Sequence, residues 1–184
     1  MTADSPLIPV ALIKACREKI TSYNLGEAPT WLLVNVDRQV LALLRDQSVV
    51  RAWPISSAAV GLDNRDGSGG TPPGLHRIRR KIGANAEPGT VFASREPTGE
   101  IWTPEAGPEP RDLILTRILT LDGLEDGLNR GPGVDSHDRY IYIHGTNHAD
   151  RIGTPVSLGC VRLTNDHVRE VFDLVHEGDP VVIV

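Results

Sequence analysis

Aromatic residues make up only 4% of this 184-residue chain, so its core has to be built from valine, isoleucine and leucine. The branching of valine and isoleucine suits the pleated surface of a sheet. Cysteine is as scarce: Cys16 and Cys160 are the only two, too few for the disulfide framework of a small secreted fold. No apolar run approaches the roughly 18 residues of a membrane-spanning helix, so no integral membrane segment is expected. The longest Lys/Arg run is Arg79-Arg80-Lys81 and the formal net charge is -5, which argues against the basic face of a nucleic-acid binder. Met1-Thr2-Ala3-Asp4-Ser5-Pro6 lacks the basic start and apolar stretch of a secretory leader. The expectation is a cytoplasmic protein, or a periplasmic, cell-envelope one if a leader has been removed.

The hydrophobic content of 40% and charged content of 23% are those of a globular domain, which excludes long disorder. A helix is predicted over residues 9–23, with Val10, Ile13, Arg17 and Ile20 near one stripe, Cys16 beside them, and Gly26 and Pro29 ending it. The period then falls to two. Strands at 31–36, 39–44 and 48–55, separated by Asp37-Arg38 and Asp46-Gln47, read as an antiparallel meander. Residues 61–74 are a Gly/Pro/Asp/Ser loop, and 75–82, 91–94 and 113–121 read as strands. The intervening stretches 96–110 and 122–138 are long polar loops, candidates for lids. A strand at 139–144 ends at a histidine. A helix capped by Thr164 or Asn165 carries Val168, Val171, Phe172 and Val175 on one face, and 180–184 closes the chain as a strand. Residues 1–28 are taken as a helical extension and 29–184 as one domain of β-rich α+β class.

The chemistry concentrates in Ile143-His144-Gly145-Thr146-Asn147 and Ser157-Leu158-Gly159-Cys160-Val161-Arg162-Leu163. A strand brings the histidine to a sheet edge, and a glycine-flanked turn brings the cysteine to the start of the next element. A free thiol titrates near about 8.5 and is a weak nucleophile at neutral pH unless a base takes its proton. His144 is the candidate base, and the carbonyl of Gly145 is a candidate to orient it. Gly159 lets the backbone approach a substrate closely, and the Gly159 and Cys160 amides are candidate oxyanion donors. Arg162 reads equally as a substrate contact or a structural ion pair. Ser157 reads as a turn hydrogen-bonder. His76 and the basic residues after it read as a strand with a solvated face.

These residues resemble the signature of the L,D-transpeptidase catalytic domain, also called the YkuD domain: a His-Gly pair followed by Ser-x-Gly-Cys-[Ile/Val]-Arg. Thr71-Pro72-Pro73-Gly74 is similar to the family's Thr-Pro-x-Gly element, and Asn165 stands where members often carry asparagine. Leu158 departs from the histidine many members have there, and residues 87–136 are longer than in a minimal member. The resemblance implies a mainly antiparallel sheet or sandwich, with the N-terminal helix added and a second helix after the cysteine loop. It implies a Cys160 thioester formed from a peptidoglycan tetrapeptide stem with loss of a terminal D-amino acid, His144 serving as base and then acid, and no cofactor. The acceptor stays open between an amine, water and a free D-amino acid. The alternatives are a cytoplasmic L,D-carboxypeptidase that trims muropeptides and a muropeptide-binding module without turnover. A zinc site built from His137, His144, His148 and Cys160 is disfavoured, because paired ligand spacings are missing.

Overall fold

The computed structural model describes residues 8–25, 29–107 and 109–184. A helix, α1 (Val10–Ser22), precedes three strands, β1 (Thr30–Asn35), β2 (Val40–Arg45) and β3 (Ser48–Pro54). Then come β4 (Gly74–Ile82), β5 (Thr90–Ala93), β6 (Glu96–Ile101) and β7 (Ile114–Gly123). The chain finishes with β8 (Tyr142–Gly145), β9 (Val161–Leu163), α2 (Asn165–Leu174) and β10 (Pro180–Ile183). The strands join in one mixed sheet of order β3-β2-β1-β10-β4-β7-β5-β6, and β8 and β9 branch from β7. Pairing is antiparallel except for β1 with β10 and β8 with β9.

β1 is buried on both faces, which is why it reads as an almost unbroken apolar run. Trp31 and Leu33 point to a cluster with Ile13, Cys16 and Ile20 of α1. Leu32 and Val34 point the other way, into a core shared with Leu119, Ile143, Val161, Leu163 and the apolar face of α2. That second core lies behind β8 and β9 and holds them in place. Thr164 caps α2 by accepting from the His167 amide at 3.2 Å, and Val168, Val171, Phe172 and Val175 are all buried as the spacing predicts. The helix stops at Leu174, and Gly178, at φ +95°, turns the chain afterwards.

Several expectations need correction. Val10 is 72% exposed. At about 100° per residue it points about 90° away from the mean direction of Ile13, Cys16 and Ile20. Gly26, expected to end this helix, lies outside the described residues, as does Pro108 in the proline-rich stretch. Residues 96–101 are a strand rather than loop. β6 is an exposed edge strand, so it carries no alternation to read, and Pro97 is tolerated there. Residues 139–141 precede the strand: Tyr140 sits at φ +57°, and the ladder starts at Tyr142. The stretch 122–138 is fastened down rather than free to open. Asn129 and Ser136 are fully buried, with Asn129 Nδ2 donating to the carbonyls of Pro73 (2.9 Å) and Leu75 (3.1 Å). His76 is buried beneath this stretch, its Nε2 2.9 Å from Ser136 Oγ, not on a solvated face.

Leu32→Ala is expected to cost about 2–5 kcal/mol of stability because it empties a central site, whereas Val10→Ala should stay within about 0.5 kcal/mol; chemical denaturation compares the two. Burial also pulls the His76 imidazole down to about 4. The unfolded chain binds that proton first, near about 6.5, so the stability His76 contributes is intact above that pH and drains away towards pH 4. His76→Gln should flatten the fall in denaturation midpoint across this window.

Candidate active site

The β8–β9 pairing sets His144 opposite Arg162 and Ile143 opposite Val161. One step back along the same parallel ladder, Tyr142 faces Cys160. Side chains alternate between faces. Ile143, Val161 and Leu163 enter the core, so Tyr142, His144, Cys160 and Arg162 share the opposite face. Cys160 and His144 are therefore diagonal neighbours on adjoining strands, a spacing across which longer side chains still meet.

The sulfur sits between two backbone groups. Cys160 Sγ accepts from the Tyr142 amide at 3.4 Å and donates to the Tyr140 carbonyl at 3.4 Å. No hydrogen bond joins Sγ to the imidazole among the described residues; a turn of the thiol away from Tyr140 is needed to hand its proton over. His144 is 3% exposed, and its Nδ1 lies 2.7 Å from the Gly145 carbonyl. A carbonyl only accepts, so Nδ1 carries the hydrogen and Nε2 presents its lone pair. Burial lowers the His144 pKa, opposed by the Gly145 carbonyl and by Asp112. Burial pushes the Cys160 thiol up, opposed by the Tyr142 amide and by the charges of Arg162 and Arg139. Both shifts favour the neutral forms, a thiol beside an imidazole rather than an ion pair.

The turn ahead of Cys160 is held from inside. Ser157 Oγ donates to the Cys160 carbonyl at 2.6 Å and accepts from the Gly159 amide at 3.3 Å. That engages the Gly159 amide, one of the two candidate oxyanion donors, within the turn. Gly159 adopts φ +123°, and a Cβ there would stand 2.9 Å from Ile141 Cδ1 and 3.1 Å from the Gly70 carbonyl. Only glycine fits. Thr71 Oγ1 donates to the Gly159 carbonyl at 3.0 Å and accepts from the Ala58 amide at 3.1 Å. Arg139 donates to the Gly70 carbonyl at 2.8 Å, drawing the 61–74 loop against the same turn. Gly145 also needs its missing side chain, because a Cβ would meet Asn165 Oδ1 at 2.3 Å.

Arg162 is 2% exposed. It donates to Asp112 Oδ1 and Ser56 Oγ, each at 2.8 Å, and its Nε is buried without a partner among the described residues. This geometry braces the floor of the site. Ser56 is held in turn by backbone bonds to Arg162, and neighbouring Ser57 by the buried side chain of Gln39. Ser56, Thr71, Asp112 and Arg139 escaped the sequence reading as site residues. Thr71 carried a signal in its Thr-Pro-Pro-Gly setting. Ser56 and Asp112 carried none, being 106 and 50 positions from the arginine they hold. Among the described residues no three His, Cys, Asp or Glu side chains converge as a metal-ligand set, and no helix is long and apolar enough to cross a membrane.

The model of the L,D-transpeptidase catalytic domain, YkuD, matches residues 29–183. The chain belongs to this family. A probable L,D-transpeptidase, ErfK/SrfK, of Salmonella typhimurium is 48% identical over 46 residues, which cover 25% of this chain and 15% of that protein. The Escherichia coli protein of the same name matches equally. Among solved structures, an L,D-transpeptidase from Mycobacterium smegmatis aligns with a TM-score of 0.50 at 21% identity, covering 85% of this chain and 59% of that one. L,D-transpeptidase 3 from Mycobacterium tuberculosis, in complex with a faropenem-derived adduct, aligns at 0.52 and 16% identity, covering 84% and 60%. The likeness to these structures is one of fold, and the chain spans well under two thirds of the length of the relatives it matches.

A protonated thiol beside a neutral imidazole predicts the pH course of alkylation in this L,D-transpeptidase-family domain. In a Cys16→Ala background, the rate of Cys160 modification by iodoacetamide should climb through and beyond the ordinary thiol range of about 8.5. A plateau already reached below pH 7 would show a resting thiolate instead.

Proposed function

We propose that Cys160 is the nucleophile of an acyl transfer on peptidoglycan tetrapeptide stems, with His144 as its base. The observation that carries this reading is the shared face of β8 and β9, which puts Sγ and an imidazole with Nδ1 tied to the Gly145 carbonyl in diagonal positions. As Sγ attacks the carbonyl carbon that joins the third residue to the terminal D-amino acid, Nε2 takes the thiol proton. The oxyanion that forms faces the turn, where the Cys160 amide is the candidate donor, since the Gly159 amide is engaged by Ser157. When the C–N bond breaks, the imidazolium returns its proton to the departing amine, and a thioester stays on Cys160. An amine from a second stem resolves it as a cross-link, water as a tripeptide, a free D-amino acid as an exchanged stem. The three outcomes share the acyl-enzyme and differ only in the acceptor.

Concerted transfer suits the resting charges. Separating thiol and imidazole into an ion pair before attack would work against the burial that keeps both neutral, so the proton moves as the C–S bond forms. Arg162 braces this floor through Asp112 and Ser56 rather than meeting substrate.

The test is acylation read by intact-protein mass spectrometry. Faropenem should add a single adduct to the wild type and none to Cys160→Ala, and His144→Ala should slow acylation by about 10²–10⁴-fold. With a tetrapeptide stem, release of the D-amino acid should accompany adduct formation, and dimer against tripeptide identifies the acceptor. Tight stem binding without adduct or release would make the domain a muropeptide-binding module and overturn the assignment.

A further inference from the structure

The ladder between β7 and β8 is interrupted at the histidine itself. Leu115 pairs with Gly145, but the next pair is Ile118 with His144, so Thr116 and Arg117 bulge out of β7 opposite the His144–Gly145 peptide. A bulge bends its strand and re-aims side chains, and such features gather beside active sites. This one is strained. Thr116 is fully buried at φ +72°, a conformation that a β-branched residue adopts only where its surroundings impose it. Thr116 Oγ1 accepts from the Gly89 amide at 3.0 Å and donates its one hydrogen to Asn165 Oδ1 at 2.9 Å. Arg117 Nη1 donates to the carbonyls of Thr116, at 2.6 Å, and Ala86, at 2.9 Å, and its guanidinium stands 5.5 Å from the centre of the Phe172 ring. The bulge is thus clamped between the segment that precedes β5 and helix α2.

The clamp bears on Gly145. A Cβ there would stand 2.3 Å from Asn165 Oδ1 and 2.7 Å from the Leu115 carbonyl. The oxygen that takes the Thr116 hydrogen, and the strand residue just ahead of the bulge, therefore both lie against the backbone of this glycine. The carbonyl of the same glycine is the acceptor for His144 Nδ1 at 2.7 Å. That bond selects the Nδ1–H tautomer and leaves Nε2 with the lone pair. Where Gly145 stands decides which ring nitrogen carries the hydrogen.

We propose that Thr116 and Asn165 are positioning residues for the imidazole: their hydrogen bond, made from the tip of the bulge to the start of α2, holds Gly145 where its carbonyl captures the Nδ1 hydrogen of His144. Neither side chain is bonded to the thiol or the imidazole among the described residues, and both act through Gly145. The use of His144 as a base rests on the acyl-transfer reading; the placement of its hydrogen does not.

Nitrogen NMR of His144 at neutral pH, assigned by the signals lost in His144→Gln, reads the tautomer. Faropenem acylation of Cys160, followed by mass spectrometry, reads its consequence. The wild type should show a protonated Nδ1 and an unprotonated Nε2. Thr116→Val keeps the shape and removes the hydroxyl: the Nε2–H form should appear beside the first, and acylation should slow by about 10–10²-fold, as a small misplacement of a catalytic group commonly does. Thr116→Ser returns the hydroxyl and should recover most of both. Asn165→Ala breaks the same bond from the partly exposed end of α2 and should match Thr116→Val; it decides the question if the valine variant does not fold. Unchanged His144 signals in these variants would overturn the proposal. So would a slowing that tracks thermal stability and that Thr116→Ser does not recover, which would make the bulge a structural feature alone. A wild-type Cys160 that refuses every acylating reagent would sink the acyl-transfer reading, while the nitrogen signals would still decide whether the clamp sets the tautomer.

Discussion

The short parallel pairing of β8 with β9 decides where His144, Cys160 and Arg162 go. It is only three registered residue pairs long, yet a one-residue slip would send His144, Cys160 and Arg162 into the core and bring Ile143 and Val161 out. Such a short ladder cannot specify itself. What fixes it is the core behind it, where Ile143, Val161 and Leu163 meet α2 and the inward face of β1. The apolar half of each strand is therefore the reason that the polar half converges. The second parallel pair, β1 with β10, returns the chain to the centre of the sheet directly after α2.

The polar face carries costs that its neighbours offset. Arg162 is a buried cation with one unpartnered N–H, and a buried charge is tolerated only when paired and hydrogen-bonded. Asp112 and Ser56 supply that, and in doing so they tie the loop after β3 and the stretch before β7 to the strand that follows the cysteine. The same burial that makes Arg162 demanding pushes His144 and Cys160 towards their neutral forms, the imidazole with its Nδ1 hydrogen on the Gly145 carbonyl and the thiol with its hydrogen on that of Tyr140.

Much of this was legible in the sequence, and the boundary follows physical lines. The His-Gly and Ser-x-Gly-Cys-Val-Arg segments are local: each needs a glycine at one particular backbone conformation or close approach, so the sequence displays it. The amphipathic stripe of α2 shows equally well as periodicity, and the apolar run of β1 as a strand. β6 did not, because an exposed edge strand pairs through its backbone and leaves its side chains unconstrained. Nor did the fastening of residues 122–138, whose burial comes from Asn129 and Ser136 reaching carbonyls and an imidazole more than fifty positions away. His76 was misplaced for the same reason: the partner that buries it is remote, and a basic run beside it looks solvated. Ser56 and Asp112 matter only through Arg162, so nothing near them announces it.

Arg162 and the turn ahead of Cys160 are held by four separated parts of the chain, through Ser56, Thr71, Asp112 and Arg139. The β5–β6 hairpin is different. It joins the sheet at an edge, β6 is exposed along its whole length, and the hairpin meets the Tyr140–Tyr142 segment through Arg95 and through Phe92, which packs with Tyr142. Phe92 and Arg95 of the hairpin line one cavity, and Phe92 also belongs to the cluster against which Cys160 packs. Arg95, held at φ +74° in the hairpin turn, lies over the two tyrosines whose backbone grips the sulfur. The strain at Arg95 is then the cost of aiming a cation from a hairpin tip at a wall that the rest of the fold keeps still.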